Sequence, residues 1–239
     1  MAFDIPREAI LPVDRVDVRL DPEPHPFESA NLAAIDENWL REHAAQPALY
    51  DGRMMLHSDL AYVGRRIVGR CHMVRYATLL YWRHHKETTA AQHAFAHAAL
   101  VSRDNALIAI RMGKHTASPG RVYFAAGSFE EPDFPDGVVD VDANMAREVV
   151  EETGLDILMA RRDAHYHAYS GESGTVIFRR YWLDRSADDI AAEIGAFVAT
   201  ETDPEIEGAV VIRDASERPA GLARHMIAIM DWHFSHSAT

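Results

Sequence analysis

Residues 147–155 read Arg147-Glu148-Val149-Val150-Glu151-Glu152-Thr153-Gly154-Leu155, a stretch that contains three glutamates. On a helix, Glu148, Glu151 and Glu152 are related by i, i+3 and i+4, so we expect their carboxylates on one face within one turn. Three anions so close repel one another unless a cation joins them, and a hard divalent ion such as Mg²⁺ prefers oxygen ligands. The spacing therefore predicts a metal-binding helix, with a solvated charged face as the alternative.

The limits of this helix are also indicated by the sequence. Asp140 is a suitable N-cap, and Gly154 favours the left-handed conformation that ends a helix. Arg147 precedes Glu151 by four residues, so its guanidinium can hold that carboxylate through a charge-assisted hydrogen bond. The other face is predicted to be anchored in the core by its apolar residues, Val149, Val150 and Leu155.

The stretch resembles, residue by residue, the second half of the Nudix signature, Arg-Glu-apolar-x-Glu-Glu-x-Gly-apolar. It also follows a predicted strand, a glycine loop and a helix cap in the order typical of that family. The resemblance covers about residues 92–215. It implies an α/β fold, namely a Nudix-type α/β/α sandwich built on a mixed sheet.

The same resemblance implies an activity. Nudix proteins of this kind are Mg²⁺-dependent or Mn²⁺-dependent pyrophosphatases, and they hydrolyse a nucleoside diphosphate linked to another moiety. The matching positions make Arg147, Glu148, Glu151 and Glu152 the expected catalytic residues. The three glutamates among them are the expected metal ligands, together with a backbone carbonyl of the glycine loop.

The glycine loop matches the family only in part. The signature glycine corresponds to Gly127, and the carbonyl before it, which often binds metal in the family, belongs to Ala126. The interval from Gly127 to Arg147 is longer than the signature allows, so we expect an enlarged loop over residues 127–139. The glutamate usually found eight positions before the arginine is replaced by Val139, with two nearby aspartates as substitutes or helix caps, Asp140 and Asp142.

Hydrolysis also needs a base that takes a proton from water. In many Nudix enzymes this base is a glutamate of a later loop, and residues 201–208 precede a predicted strand at 209–212. We favour Glu205, because Pro204 stiffens the chain before it and the strand follows closely. Glu207 and Glu201 are reserves, and for each of the three a solvated loop charge is the alternative.

The domain organisation is predicted as an N-terminal α+β extension, residues 1–91, packed on a catalytic domain, residues 92–239, that ends in a helix. A second resemblance concerns the extension: several of its residues are similar to the leader of the Nudix branch that hydrolyses UDP-glucose and UDP-galactose, namely Trp39, residues 47–52, Leu56-His57 and Tyr76. This makes a UDP-sugar-like nucleotide sugar the specific expectation. Other anhydrides remain open, such as ADP-ribose, dinucleoside polyphosphates or coenzyme A derivatives, and so does a non-catalytic sensor of a nucleotide metabolite.

Composition limits the partners. The chain has 239 residues and a formal charge of −13, which repels nucleic acids and anionic membranes but not a small phosphorylated substrate next to a metal ion. No apolar run is long enough for a membrane span. Cys71 stands alone and allows no intramolecular disulfide, so a cytoplasmic location is the default expectation. A homodimer stays open.

Weaker candidates are a histidine pair at His84-His85, another at His165 and His167, and a glycine-containing turn at 170–174. The pairs lack a third ligand at supporting spacing, and the turn is better explained as a hairpin than as a phosphate loop. Residues 113–120 are a flexible loop or a substrate contact. The remaining periodicities predict helices at 28–45, 187–198 and 222–234 and strands at 53–61, 66–76, 96–102, 106–111, 121–126, 157–161 and 175–183.

Overall fold

The computed structural model describes residues 3–86 and 89–236, and these form two β-sheets and five α-helices. The larger sheet is mixed, since one strand pair is parallel and the others are antiparallel. Its spatial order is β12 (Ile206–Ile212), β7 (Leu107–Met112), β6 (Ala94–Val101), β11 (Gly174–Trp182), β10 (Tyr166–Gly171) and β2 (Ile10–Val13), while β8 (Val122–Tyr123) pairs with β7 and β9 (Arg161–Arg162) pairs with β11. The parallel pair is β6 and β11.

The smaller sheet belongs to the N-terminal part of the chain. Its order is β1 (Phe3–Asp4), β4 (Arg53–Val63), β5 (Arg66–Arg75) and β3 (Arg15–Asp21). A two-residue turn joins β4 to β5, and both of its residues, Gly64 and Arg65, have positive φ, at 55° and 61°. Tight hairpin turns favour this backbone because its twist matches that of the two strands.

Helices cover both faces of the larger sheet. The helices α3 (Val141–Thr153) and α4 (Ala187–Val198) share one apolar cluster with one face of the sheet, and α5 (Arg224–Ser235) packs on the opposite face. The helices α1 (Pro26–Ala45) and α2 (Tyr76–Arg83) lie with the smaller sheet, whose Met54, Leu56 and Val74 share a third cluster with α1 and α2. The predicted fold class, an α/β/α sandwich on a mixed sheet with an N-terminal α+β extension, is confirmed.

The extension and the larger sheet are joined closely. Strand β2 is an edge strand of the larger sheet, paired with β10, and Val16, Val18 and Ile67 belong to the same core cluster as α3. The boundary between residues 91 and 92 stays a prediction.

The sequence correctly predicts the limits of two helices. Asp140 Oδ1 accepts a hydrogen bond from Ala143 N at 3.0 Å, and Gly154 has φ 71°, so α3 begins and ends where its caps predict. The prediction for α4 also matches its observed bounds. Val150 differs from expectation: it is 46% exposed, so it does not anchor the helix in the core.

Other predictions were wrong. Residues 157–160 form a turn instead of a strand, because the Asp156 carboxylate accepts from Leu158 N, and only Arg161–Arg162 is extended. Helix α1 begins at Pro26, two residues before the predicted start at 28, and the His25 side chain caps it by accepting from Phe27 N. Proline suits the first helical position because the N–H that it lacks would have no partner within the helix. None of the described helices is long and apolar enough to cross a bilayer.

Candidate active site

The glutamates of α3 differ in environment. Glu148 and Glu152 are buried, at 7% and 6% exposure, on the side of the helix that faces the glycine loop. The side chain of Glu151 is 57% exposed. The two buried carboxylates thus lie toward the glycine loop, and the carboxylate of Glu151 lies at the exposed margin beside Glu148, since both contact Nη1 of Arg147.

The loop before α3 touches both buried carboxylates. Ala126 N donates to Glu152 Oε2 at 2.8 Å. A Cβ atom added to Gly127 would lie only 2.3 Å from Glu148 Oε1, so only glycine leaves room for that carboxylate. The two residues that the sequence assigned to the glycine loop thus lie directly against two of the predicted metal ligands.

Arg147 holds the acidic groups in position. Its Nη1 lies 2.7 Å from Glu148 Oε1 and 3.1 Å from Glu151 Oε2, which includes the predicted pair with Glu151. Its Nη2 donates to Asp133 Oδ2 at 3.0 Å. Arg147 therefore joins two glutamates of the helix to a carboxylate of the enlarged loop.

Asp133 was missed by the sequence analysis. It is 3% exposed and also accepts hydrogen bonds from Asn144 Nδ2 and Glu130 N, both at 2.9 Å. The two aspartates suggested as substitutes are used elsewhere, since Asp140 caps α3 and Asp142 pairs with Arg179 at 2.8 Å. The enlarged loop brings its own acid to the arginine, and only the folded loop reveals which one.

Burial makes the ionised forms of the paired glutamates costly. Burial raises the pKa of Glu148 to about 7 against the opposing charge of Arg147. Burial also raises the pKa of Glu152 well above its usual range, opposed by the bond from Ala126 N and increased by the charges of Glu148 and Glu205. A cation placed between these oxygens would remove the repulsion.

These donors fit a hard divalent ion. Two buried carboxylates beside the backbone of Ala126 are oxygen ligands of the type that Mg²⁺ prefers. In the described parts of the chain, no three His, Cys, Asp or Glu side chains are gathered as a metal site, in keeping with the outward position of Glu151.

Glu205 is connected to this site. It immediately precedes β12, and its carbonyl accepts from Gly113 N at 2.7 Å, so its backbone position is fixed. Its charge contributes to the raised pKa values of Glu152 and Tyr123. Of the three candidate bases, Glu205 is the one whose charge acts on these groups.

A pocket of about 350 Å³ opens beside the glycine loop. Ala126 and Gly127 form part of its wall, and its deeper lining is aromatic and imidazole. Three basic residues also line it, Arg83, Lys86 and Arg121. The acidic pair thus adjoins a space whose lining is basic, and α2 of the extension supplies part of that lining.

The weaker candidates have ordinary roles. His84 pairs with Glu42 and His85 with the Tyr81 carbonyl, while His165 pairs with Asp14 and His167 packs on Trp232. Residues 171–174 form the predicted hairpin turn between β10 and β11. Cys71 is buried, and burial raises the pKa of its thiol to about 12. The loop 113–120 touches Glu205 through Gly113.

No protein family and no curated protein matches the sequence. Solved structures of similar chain path include two at low sequence identity. The MutT protein from Methanosarcina mazei Go1 is 13% identical with a TM-score of 0.43, covering 62% of this chain and 96% of that one. The DR0079 protein from Deinococcus radiodurans is 12% identical with a TM-score of 0.40, covering 67% and 83%.

Proposed function

We propose that this protein is a metal-dependent phosphoanhydride hydrolase of the Nudix type. The observation that carries the proposal is the buried pair Glu148 and Glu152, packed against Ala126 and Gly127 at the edge of a pocket with basic lining. Acidic groups next to basic groups suit a metal-bound phosphate that continues into a second anionic group. The proposed substrate is a small nucleoside diphosphate linked to another moiety.

Mg²⁺ or Mn²⁺ would be held by Glu148, Glu152 and the Ala126 carbonyl, with Glu151 as a further ligand from the exposed side. When bound, the ion polarises a phosphoryl oxygen and lowers the pKa of a coordinated water. Arg147 keeps the carboxylates of Glu148 and Glu151 in place through its hydrogen bonds.

Glu205 is the proposed base. Its carboxylate accepts a proton from water, the water oxygen attacks one phosphorus atom, and the bond from that phosphorus to the bridging oxygen breaks. The bridging oxygen leaves with the other phosphate. Each product then carries a phosphate, for example UMP and a sugar 1-phosphate from a UDP-sugar.

The N-terminal extension bears on the specific substrate. The N-terminal resemblance favours a UDP-sugar, and Trp82 and Arg83 of α2 line the pocket, so the extension takes part in forming it. ADP-ribose, dinucleoside polyphosphates and coenzyme A derivatives are the alternatives. We also propose a small-molecule partner rather than nucleic acid or membrane, since the formal charge is −13. A cytoplasmic location is a separate part of the proposal. Sedimentation analysis would test whether the protein forms a homodimer.

The test is a screen of these compounds with Mg²⁺ or Mn²⁺, reading phosphate release after coupling to a phosphatase. Glu152→Gln keeps the shape and removes the charge, so kcat should fall by at least ~10² while the fold is retained. The matched control is Glu201→Gln, an exposed glutamate just beyond α4, which should keep wild-type turnover. Wild-type turnover by Glu152→Gln would contradict the proposed site, and metal binding without turnover of any compound would favour a sensor.

A further inference from the structure

The pocket beside the glycine loop carries positive charge without a matching carboxylate. Arg83, Lys86 and Arg121 are exposed and line this pocket, and none forms a salt bridge with another residue of 3–86 or 89–236. Many other arginines do pair, such as Arg75 with Asp51. In a chain of formal charge −13, three such cations at one pocket indicate a place for an anion.

The N-terminus of α5 opens at the same pocket. The N-cap position is Ala223, no side chain caps the helix there, and both Ala223 and His225 line the pocket. The first N–H groups of a helix have no partner within the helix, and they carry the positive end of its dipole. An anion in the pocket would serve as the missing cap.

His225 is an independent sign of a ligand. Its side chain is 8% exposed and lines the pocket, yet neither Nδ1 nor Nε2 has a hydrogen-bond partner among the described residues. Burial, with the nearby charge of Arg121, lowers its pKa to about 4, so the ring is neutral and one nitrogen carries a proton to donate. A buried donor without an acceptor is costly, and a bound oxyanion would supply the acceptor.

We propose that this pocket is an anion subsite that binds a terminal phosphomonoester of the substrate, separate from the phosphate attacked beside Glu148 and Glu152. Arg83, Lys86 and Arg121 would surround the phosphate, and His225 with the first N–H groups of α5 would donate to it. Three cations and a helix N-terminus match the double charge of a phosphomonoester better than the single charge of a diester. The proposal rests on the proposed hydrolase, and among its alternative substrates it favours a compound with a phosphomonoester, such as coenzyme A, over a UDP-sugar, which has none.

Metal dependence separates the two anion positions. The phosphate beside Glu148 and Glu152 meets acidic groups and needs a cation to bind. The subsite contains its own cations, so inorganic phosphate should bind there in EDTA. This provides a readout that does not depend on activity.

The first test is isothermal titration of the full chain with inorganic phosphate in EDTA. Arg121→Ala should weaken binding by about tenfold or more, because it removes a charged hydrogen-bond donor from the phosphate. Lys86→Ala tests the same charge at a second exposed position, and His225→Gln tests the buried donor. The control is Arg103→Ala, an exposed arginine in the turn after β6, at the strand end away from His93, which should leave binding unchanged.

The second test compares coenzyme A with 3′-dephospho-coenzyme A, and NADPH with NADH, since each pair differs only by a phosphomonoester. For a pair that is hydrolysed, we expect KM at least ~10-fold lower for the phosphorylated member, and Arg121→Ala should abolish this difference in KM, whereas Arg103→Ala should retain it.

The outcomes keep the two proposals apart. If Arg121→Ala weakens phosphate binding in EDTA but no compound is hydrolysed, the subsite is supported and the hydrolase is refuted. If a compound is hydrolysed but phosphate does not bind in EDTA, the subsite is refuted and the hydrolase is supported. Equal weakening by Arg121→Ala and Arg103→Ala would show a general charge effect and would also refute the subsite.

Discussion

Gly127→Ala should separate catalysis from stability. The added Cβ would lie 2.3 Å from Glu148 Oε1 and 2.5 Å from Glu148 Cδ, whereas nonbonded carbon and oxygen atoms normally stay more than ~3 Å apart. The loop or the carboxylate must therefore move by about 1 Å. The carboxylate is the end of a flexible side chain, so we expect Glu148 to move.

The two consequences differ in size. Overpacking costs ~1–3 kcal/mol in a rigid core, and a movable side chain places this change at the lower end. Displacement of a group that positions the reacting atoms by ~1 Å can cost ~10² in rate. We therefore expect kcat to fall by about 10² and Mg²⁺ affinity to fall, with a loss of about 1 kcal/mol in the free energy of unfolding.

The assays are steady-state turnover, calorimetric Mg²⁺ titration and urea unfolding. Gly195→Ala is the matched control, because Gly195 lies inside α4 and a Cβ there would meet nothing within 4 Å. The control should gain about 0.5–1 kcal/mol from helix propensity and keep its turnover. If Gly127→Ala has wild-type kcat and wild-type Mg²⁺ affinity, then Glu148 does not act where its carboxylate now lies.

Three further predictions concern positioning, the base and pH. Asp133→Asn should lower the free energy of unfolding in urea by about 2–3 kcal/mol, because it weakens a buried charged hydrogen bond, and kcat should fall with it; unchanged unfolding would contradict the buried network. Glu205→Gln should reduce kcat by ~10²–10⁴ with Mg²⁺ affinity retained, while Glu201→Gln should keep turnover, and the reverse order would show that the base was wrongly assigned. Burial lowers the pKa of His25 to about 4 and that of His57 to about 3, so the unfolded chain takes up protons before the folded chain as pH falls below 6.5. The free energy of unfolding should therefore fall by ~1.4 kcal/mol per pH unit for each histidine, down to about pH 4. Urea unfolding at pH 7, 6 and 5 should show a smaller dependence on pH for His57→Phe, and an unchanged dependence would contradict the assignment.

Sequence reasoning succeeded where the deciding interactions are local. The ends of α3 depend on Asp140 and Gly154, which act within a few residues of the helix, and the observed start of α4 is likewise fixed locally, by the Ser186 side chain that accepts from Asp189 N. The pairing of Arg147 with Glu151 is also local, since four residues span one helical turn.

Long-range packing decided what the sequence analysis missed. Strand β2 contains Pro12, which argues against a central strand, but its place at the sheet edge tolerates a residue without an N–H. Val150 and Glu151 are exposed because the sheet and the glycine loop cover other parts of the surface of α3. Helical spacing alone does not show which part of a helix is covered. The partnership of Asp133 with Arg147 crosses fourteen residues and depends on two short helical turns in the enlarged loop.

The origin of the pocket explains why the glutamate motif predicts chemistry better than substrate. Helix α3 supplies the acidic groups, while the basic lining comes from the end of α2, from the segment before β8 and from the N-terminus of α5. Trp82 Nε1 donates to the Ala91 carbonyl at 3.0 Å, so the end of α2 is tied to the chain just before β6. Because these segments are distant in sequence, a change in one of them alters the recognised group without touching the carboxylates that bind metal. Selection for a new substrate would therefore act on Arg83, Arg121 and His225 before it acted on the glutamates.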